Sequence, residues 1–306
     1  MILVLLPRGE KERGLGMIDP DWLSDFLRDQ HLPADFATEV ERLHAPLAAR
    51  IAVVAMGPAF VVGICGPQGS GKTTTVRVVA RLLEAQGLKV AALSLDDLYL
   101  TRADREALAR DVHPLLATRG VPGTHDVELG LSVLESLAGE GATALPRFDK
   151  ARDDRAPSGT WPVVEGPVDI VLLEGWCLGA RPESPEALRE PVNALERERD
   201  PDGVWRAYVN AALAGPYRAL FARLDYLVLF TAPDFDTVLA WRLEQEAKLR
   251  ARLARSGDGE GQAMSEAEVA DFVRHYERLT RHILQEMPAR ADLVVALEKD
   301  RRSSIL

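Results

Sequence analysis

The chain has 306 residues, 47% of them hydrophobic and 27% charged, which is enough for one large α/β domain or two modest ones with a sizeable core. A formal net charge of -10 has the wrong sign for a surface that neutralises nucleic-acid phosphates, so any anion site has to be local. No apolar run reaches the roughly 18 residues that a helical membrane span needs, which leaves a small-molecule partner as the expectation.

The opening Met1-Ile-Leu-Val-Leu-Leu6 run is too short for a signal h-region, and the Arg8, Glu10, Lys11, Glu12 and Arg13 that follow are no cleavage-site pattern, so a cytoplasmic location is expected. Trp22, Leu23, Phe26 and Leu27 recur at helical spacing, and Phe36, Val40, Leu43 and Leu47 continue it. Residues 1–56 therefore read as a helical extension packed on the core. From residue 57 onward, short apolar runs at 60–65, 90–95, 168–173, 226–230 and 293–297 alternate with helical patterns. That alternation predicts an α/β domain over 57–306, a parallel sheet of about five strands covered by helices on both faces. Cys65 and Cys177 sit inside apolar stretches, which suits packing in a reducing compartment rather than a disulfide framework.

Between the second and third runs, residues 100–160 carry Pro114, Gly120, Pro122, Gly123, Pro146 and Pro157, too irregular a stretch for a simple crossover helix, and long insertions of this kind tend to be functional. Helical patterns at 235–254 and 265–287 flank Ser256-Gly-Asp-Gly-Glu-Gly261, whose glycines suit a mobile turn at the tip of a lid spanning 241–265. His113, His275 and His282 lack metal-ligand spacing and read as surface or core histidines.

The segment Gly66-Pro-Gln-Gly-Ser-Gly-Lys-Thr73 has Walker A spacing and lies between a predicted strand and a predicted helix, the context the motif requires. Its glycines let the backbone N–H groups of Gly66, Gln68, Gly69, Ser70, Gly71 and the following residues through Thr74 fold around phosphate oxygens at the positive end of a helix dipole. Lys72 then reaches the outer phosphates and Thr73 offers a hydroxyl to Mg²⁺. A GxGxxG fingerprint with a downstream ribose-binding acid is missing from the first βα unit, so hydride transfer is disfavoured. The second strand runs into Asp96 and Asp97, and the third into Glu174. In a doubly wound sheet such strand ends open onto one crevice, so Asp96 is expected as the base for a hydroxyl acceptor and Glu174 as the acid that shares the Mg²⁺ with Thr73. Asp97 reads as a helix-capping acid.

Together with the P-loop, the segments Asp96-Asp97-Leu-Tyr-Leu-Thr101, Arg119-Gly-Val-Pro-Gly-Thr-His-Asp126, Pro146-Arg-Phe-Asp-Lys150, Asp154-Arg155 and Glu174-Gly-Trp176 resemble the D-glycerate 3-kinase family, P-loop kinases related to phosphoribulokinase, uridine kinase and bacterial pantothenate kinase. The resemblance covers residues 60–300. It implies ATP as donor, glycerate as acceptor, Asp96 as general base, and Tyr99, Arg119, His125, Asp126, Lys150 and Arg155 on the acceptor or γ-phosphate side. It also implies a closing arginine on the lid, for which Arg242 is the candidate, whereas Lys248 reads as the i,i+4 partner of Glu244. Arg152 and Asp153, which stand between Lys150 and Asp154, read as solvated loop charges, and Asp126 has a second reading as the cap of a helix starting at Val127. Other readings left open are a kinase for another small acceptor, such as a nucleoside, pantothenate or a sugar acid, and a nucleotide-dependent switch without an acceptor.

Overall fold

The computed structural model describes residues 19–30, 32–33, 35–256 and 263–306. The opening apolar run and all of the expected lid tip except Ser256 fall outside them. Helix α1 (Pro20–Asp29) starts where the Asp19 carboxylate accepts the Asp21 N–H. Helix α2 (Phe36–Glu39) runs through a π turn, Val40–His44, into α3 (Ala45–Val54). The stripe read from the sequence is the buried one: Phe26, Val40, Leu43, Leu47 and Ile51 share a cluster with Val76, Val79 and Leu83. Those three belong to α4 (Lys72–Glu84), the helix that follows the P-loop.

Five parallel strands form the centre of the sheet. They are β1 (Phe60–Cys65), β2 (Val90–Ser94), β7 (Ile170–Gly175), β8 (Tyr226–Thr231) and β9 (Leu293–Leu297). All are within two residues of the expected runs, because strands buried on both faces are written as continuous apolar sequence. A sixth strand, β10 (Ser303–Ile305), pairs antiparallel with β9 at the edge, beyond the five parallel strands expected; three residues are too few to leave a pattern. The order is β2-β7-β1-β8-β9-β10. Alternation splits the core into two: Val61 and Cys65 face a cluster with α6 (Val127–Ala138), while Val62 and Ile64 face α3 and α4.

The irregular stretch holds more structure than its prolines and glycines announced. It contains α5 (Arg102–Asp111), α6, the two-residue ribbon β4 (Phe148–Asp149) with β5 (Asp154–Arg155), and β3 (Gly141–Ala144), which pairs with β6 (Val163–Gly166) just beyond it. The β7–β8 crossover carries α7 (Ala194–Arg199), α8 (Val204–Ala214) and α9 (Pro216–Phe221), none of which the sequence reading singled out. The last two helices are α10 (Phe235–Ser256) and α11 (Glu266–Glu286), the latter opened by a reciprocal capping box between Ser265 and Glu268. Among the described residues no helix is long and apolar enough to cross a membrane.

Candidate active site

The phosphate cradle follows directly from its glycines. Gly69 has φ 79° and Gly71 φ 85°, left-handed conformations that side chains resist. A Cβ on Gly69 would lie 2.7 Å from the Trp241 Cβ, whereas one on Gly71 would meet nothing within 4 Å, so the loop is closed on the α10 side and open above the start of α4. The Lys72 ammonium is buried and donates to the Pro67 carbonyl at 2.9 Å, within reach of Ser70 Oγ at 3.4 Å. Burial pushes its pKa down, and the Glu174 carboxylate works against that. Gln68 Oε1 is buried without a partner, and Thr74 lies in the first turn of α4.

Glu174, on β7 and 7% exposed, accepts from Thr73 Oγ1 at 2.9 Å and from Ser94 Oγ at 3.0 Å. A carboxylate and a threonine hydroxyl at the head of the cradle are the hard oxygen donors that suit Mg²⁺, which takes one or two protein groups and completes its shell with water and phosphate. Ser94 also accepts the Asp96 N–H at 3.2 Å, so three hydrogen bonds link Thr73 to the main chain of Asp96. Ser94, and not Asp97, is the cap of the short 3₁₀ turn Leu95–Leu98. Asp97 instead accepts from the Phe148 N–H at 3.1 Å and from Arg147 at 3.3 Å, docking the β4–β5 ribbon beside the crevice, a correction that required knowing where the ribbon folds.

Asp96 is gripped from two sides. Tyr99 OH donates to Oδ1 at 2.8 Å and Lys150 Nζ to Oδ2 at 2.7 Å. Burial by itself raises the Asp96 carboxyl, but the Lys150 ammonium and the two hydrogen bonds outweigh it and hold the group below its ordinary value. The Tyr99 ring stacks on His125 with centroids 4.6 Å apart. Tyr217 OH accepts the N–H groups of Gly123 (2.9 Å) and His125 (3.2 Å), so its own proton goes to His125 Nδ1 at 2.5 Å. The imidazole, which burial drives down to about 4, is then neutral with its proton on Nε2, a buried donor without a partner.

The remaining cations arrive already paired. Arg119 bonds Asp153 Oδ1 and lies 5.5 Å from the Phe148 ring centroid. Arg105, 1% exposed, reaches Asp153 Oδ2 at 3.0 Å, so Asp153 is the joint between two arginines and not the solvated charge expected; Arg152 is exposed as read. Arg155 Nη2 donates to the Tyr99 carbonyl and to Asp126 Oδ2, both at 3.0 Å, and its Nε is buried without a partner. Asp126 Oδ1 caps α6 through the Leu129 N–H at 3.0 Å, as the second reading of that residue expected. Arg242 on α10 pairs with Glu246 at 2.7 Å and lies 6.0 Å from the Phe272 ring centroid, and Lys248 pairs with Glu244 at 2.5 Å.

Sequence reasoning missed Tyr217 and Tyr276, for lone tyrosines in amphipathic helices carry no motif. Tyr276 on α11 donates to the Arg119 carbonyl at 3.0 Å, and Trp176 Nε1 to the Gly120 carbonyl at 2.7 Å. A Cβ on Gly120, φ 133°, would sit 2.0 Å from the Tyr276 hydroxyl, which is why the Arg119–Gly120 pair requires glycine.

No protein-family model matches the chain. The chloroplastic D-glycerate 3-kinase of Arabidopsis thaliana is 37% identical over 231 residues, 72% of this chain and 46% of its own length, so this chain spans less than half of that protein. A probable ATP-dependent kinase of Saccharomyces cerevisiae is 30% identical over 233 residues, 69% of this chain and 73% of that one. The solved structure of D-glycerate 3-kinase from Cryptococcus neoformans aligns over 85% of this chain and 98% of its own, at a TM-score of 0.68 and 26% identity. A parallel sheet, a Walker A cradle and an acid at the next strand end, together with these relatives, define an ATP-dependent P-loop kinase, a phosphotransferase whose acceptor is a hydroxyl. Within that class the chain belongs to the D-glycerate 3-kinase family.

Proposed function

We propose that the protein transfers the γ-phosphoryl group of ATP to a hydroxyl of D-glycerate, with Asp96 as general base. The observation that carries this reading is the pair of unpartnered buried donors, Arg155 Nε and His125 Nε2, on two residues that both touch Tyr99, itself bonded to Asp96. Donors left without acceptors in a protein interior are costly, and a small acid with a carboxylate and hydroxyls is the kind of ligand that satisfies them. The name of the Arabidopsis relative supports the same acceptor.

In this reading residues 57–306 are the kinase domain, 1–56 a packed extension, 100–160 the acceptor insertion and 241–265 the lid. Backbone N–H groups of Gly66 and of Gln68 through Thr74, together with the Lys72 ammonium, hold the triphosphate. Thr73 and Glu174 would hold Mg²⁺, which would offset phosphate charge. Arg119, Arg155 and Asp126 orient the acid, and Asp96 takes the proton of the attacking hydroxyl. Lys150 keeps Asp96 ionised and stabilises the migrating phosphoryl group, while Arg242 closes over it and excludes water. Two buried thiols suit a reducing compartment, and we place the protein in the cytoplasm.

The test is ADP release with ATP and Mg²⁺ in the presence of D-glycerate, L-glycerate, uridine, pantothenate or no acceptor. Turnover should require D-glycerate and fall by roughly 10²- to 10⁴-fold in Asp96→Asn. Preference for uridine or pantothenate would overturn the acceptor assignment, and release that no acceptor stimulates would favour the switch.

A further inference from the structure

The turn that closes the sheet, between β9 and β10, reaches back to the phosphate cradle. It is tied by Glu298 N–H to the Arg302 carbonyl and by Arg301 N–H to the Glu298 carbonyl, each 2.8 Å. Arg301 has φ 65°, a left-handed backbone that a non-glycine residue adopts only when its surroundings hold it there. Its side chain joins three elements distant in sequence. Nε donates to the Gly69 carbonyl at 3.0 Å, Nη1 lies 2.7 Å from Glu244 Oε2 on α10, and the guanidinium is 5.5 Å from the Trp241 ring centroid. Trp241 Nε1 donates to the Lys299 carbonyl of the same turn at 2.8 Å, and its Cβ is the atom that forbids a side chain on Gly69.

The peptide that Arg301 holds lies on the route to Lys72. A peptide is planar, so fixing the Gly69 carbonyl also orients the Ser70 N–H. That N–H points to the Pro67 carbonyl at 3.3 Å, and the same carbonyl receives the Lys72 ammonium at 2.9 Å. We propose that Arg301 is a positioning residue for the nucleotide phosphates: its fork sets the Gly69–Ser70 peptide of the P-loop and ties that loop to α10, so that cradle and lid helix respond to nucleotide as one unit. Arginine suits the task because its planar guanidinium bonds a carbonyl and a carboxylate at once in fixed directions, which a lysine ammonium does not.

The inference rests on residues 66–73 being a nucleotide cradle and is independent of the acceptor, so it is tested by ADP·Mg²⁺ binding alone, measured calorimetrically beside thermal melts. Arg301→Gly is the decisive variant, since glycine takes φ 65° without strain and keeps the turn. It should bind ADP·Mg²⁺ about tenfold more weakly, the loss of a charge-assisted fork, at an unchanged or higher Tm. A merely structural brace would instead lower Tm and leave affinity alone. Arg301→Lys should recover little of the affinity, and Glu244→Gln should weaken binding less than Arg301→Gly, the double variant falling short of the sum. Unchanged affinity in Arg301→Gly, or full recovery with lysine, overturns the proposal. Wild-type protein that binds no ADP·Mg²⁺ overturns the cradle reading itself, and this inference with it.

Discussion

On the donor wall of the crevice, Gly66 through Thr73 follow one another along the chain, and the cradle is backbone whose two inner glycines hold positive φ. On the proposed acceptor wall, Asp96, Arg119, His125, Lys150 and Arg155 are gathered by contacts between residues 26 to 92 positions apart. The first wall is local and insulated: its lysine is buried and its carboxylate is 7% exposed. The second depends on ion pairs with partly exposed members, such as Lys150 at 61% and Asp153 at 36%. A P-loop is therefore built once from its own sequence, while the acceptor wall is an assembly in which each arginine is held by an acid from elsewhere, and single substitutions should separate the two.

The largest separation is expected from Gly120→Ala. Its Cβ would collide with the Tyr276 hydroxyl at 2.0 Å, and the displaced Arg119 should cost about 100-fold in kcat/KM for the acceptor and roughly 2–4 kcal/mol of stability. Affinity for ADP·Mg²⁺ should not change. Gly87→Ala, also at positive φ (81°) but with open space around it, is the control for a positive φ without a clash and should cost about 1 kcal/mol without touching KM. Next, Asp153→Ala removes the joint between Arg105 and Arg119. About a tenfold rise in acceptor KM and roughly 1–3 kcal/mol of destabilisation are expected, with KM for ATP unmoved; a parallel rise in both KM values would mean that the walls are not independent.

Two smaller effects sharpen the comparison through pH. In Lys150→Met the burial of Asp96 loses its main opponent, so the carboxyl rises and the acidic limb of kcat/KM moves to higher pH. A limb that stays in place assigns it to a group other than Asp96. Beneath the donor wall, His44 is buried against the P-loop helix, with Nε2 3.3 Å from Thr75 Oγ1, and burial lowers its pKa from 6.5 to about 4. Between those values the unfolded chain takes up a proton that the folded one refuses, so stability falls as pH drops from 6.5 to about 4, by up to about 3 kcal/mol. His44→Gln should flatten that slope in melts at graded pH and leave acceptor KM alone.

Much of this was legible in advance, for identifiable reasons. The five parallel strands appear because burial on both faces forces continuous apolar runs, and the P-loop because left-handed backbone forces glycine at set intervals. Asp96 and Glu174 stood out as acids ending such runs. Asp97 and Asp153 were misread because a carboxylate looks the same in sequence whether it caps a turn, faces water or pins an arginine 34 residues away. The edge strand β10, the helices of the β7–β8 crossover, and Tyr217 and Tyr276 gave no usable signal, being too short, too ordinary in composition or without a motif.

What the sequence by itself determined is the sheet, the cradle and the identity of the acids at its strand ends, all of which rest on short-range patterns that backbone sterics and burial impose. The tertiary structure alone decided which proton His125 keeps, which arginines are already neutralised, and that Arg301 at the far end of the chain holds Gly69 across 232 residues. Those outcomes depend on distances between side chains from different elements, and such distances exist only after the chain has packed.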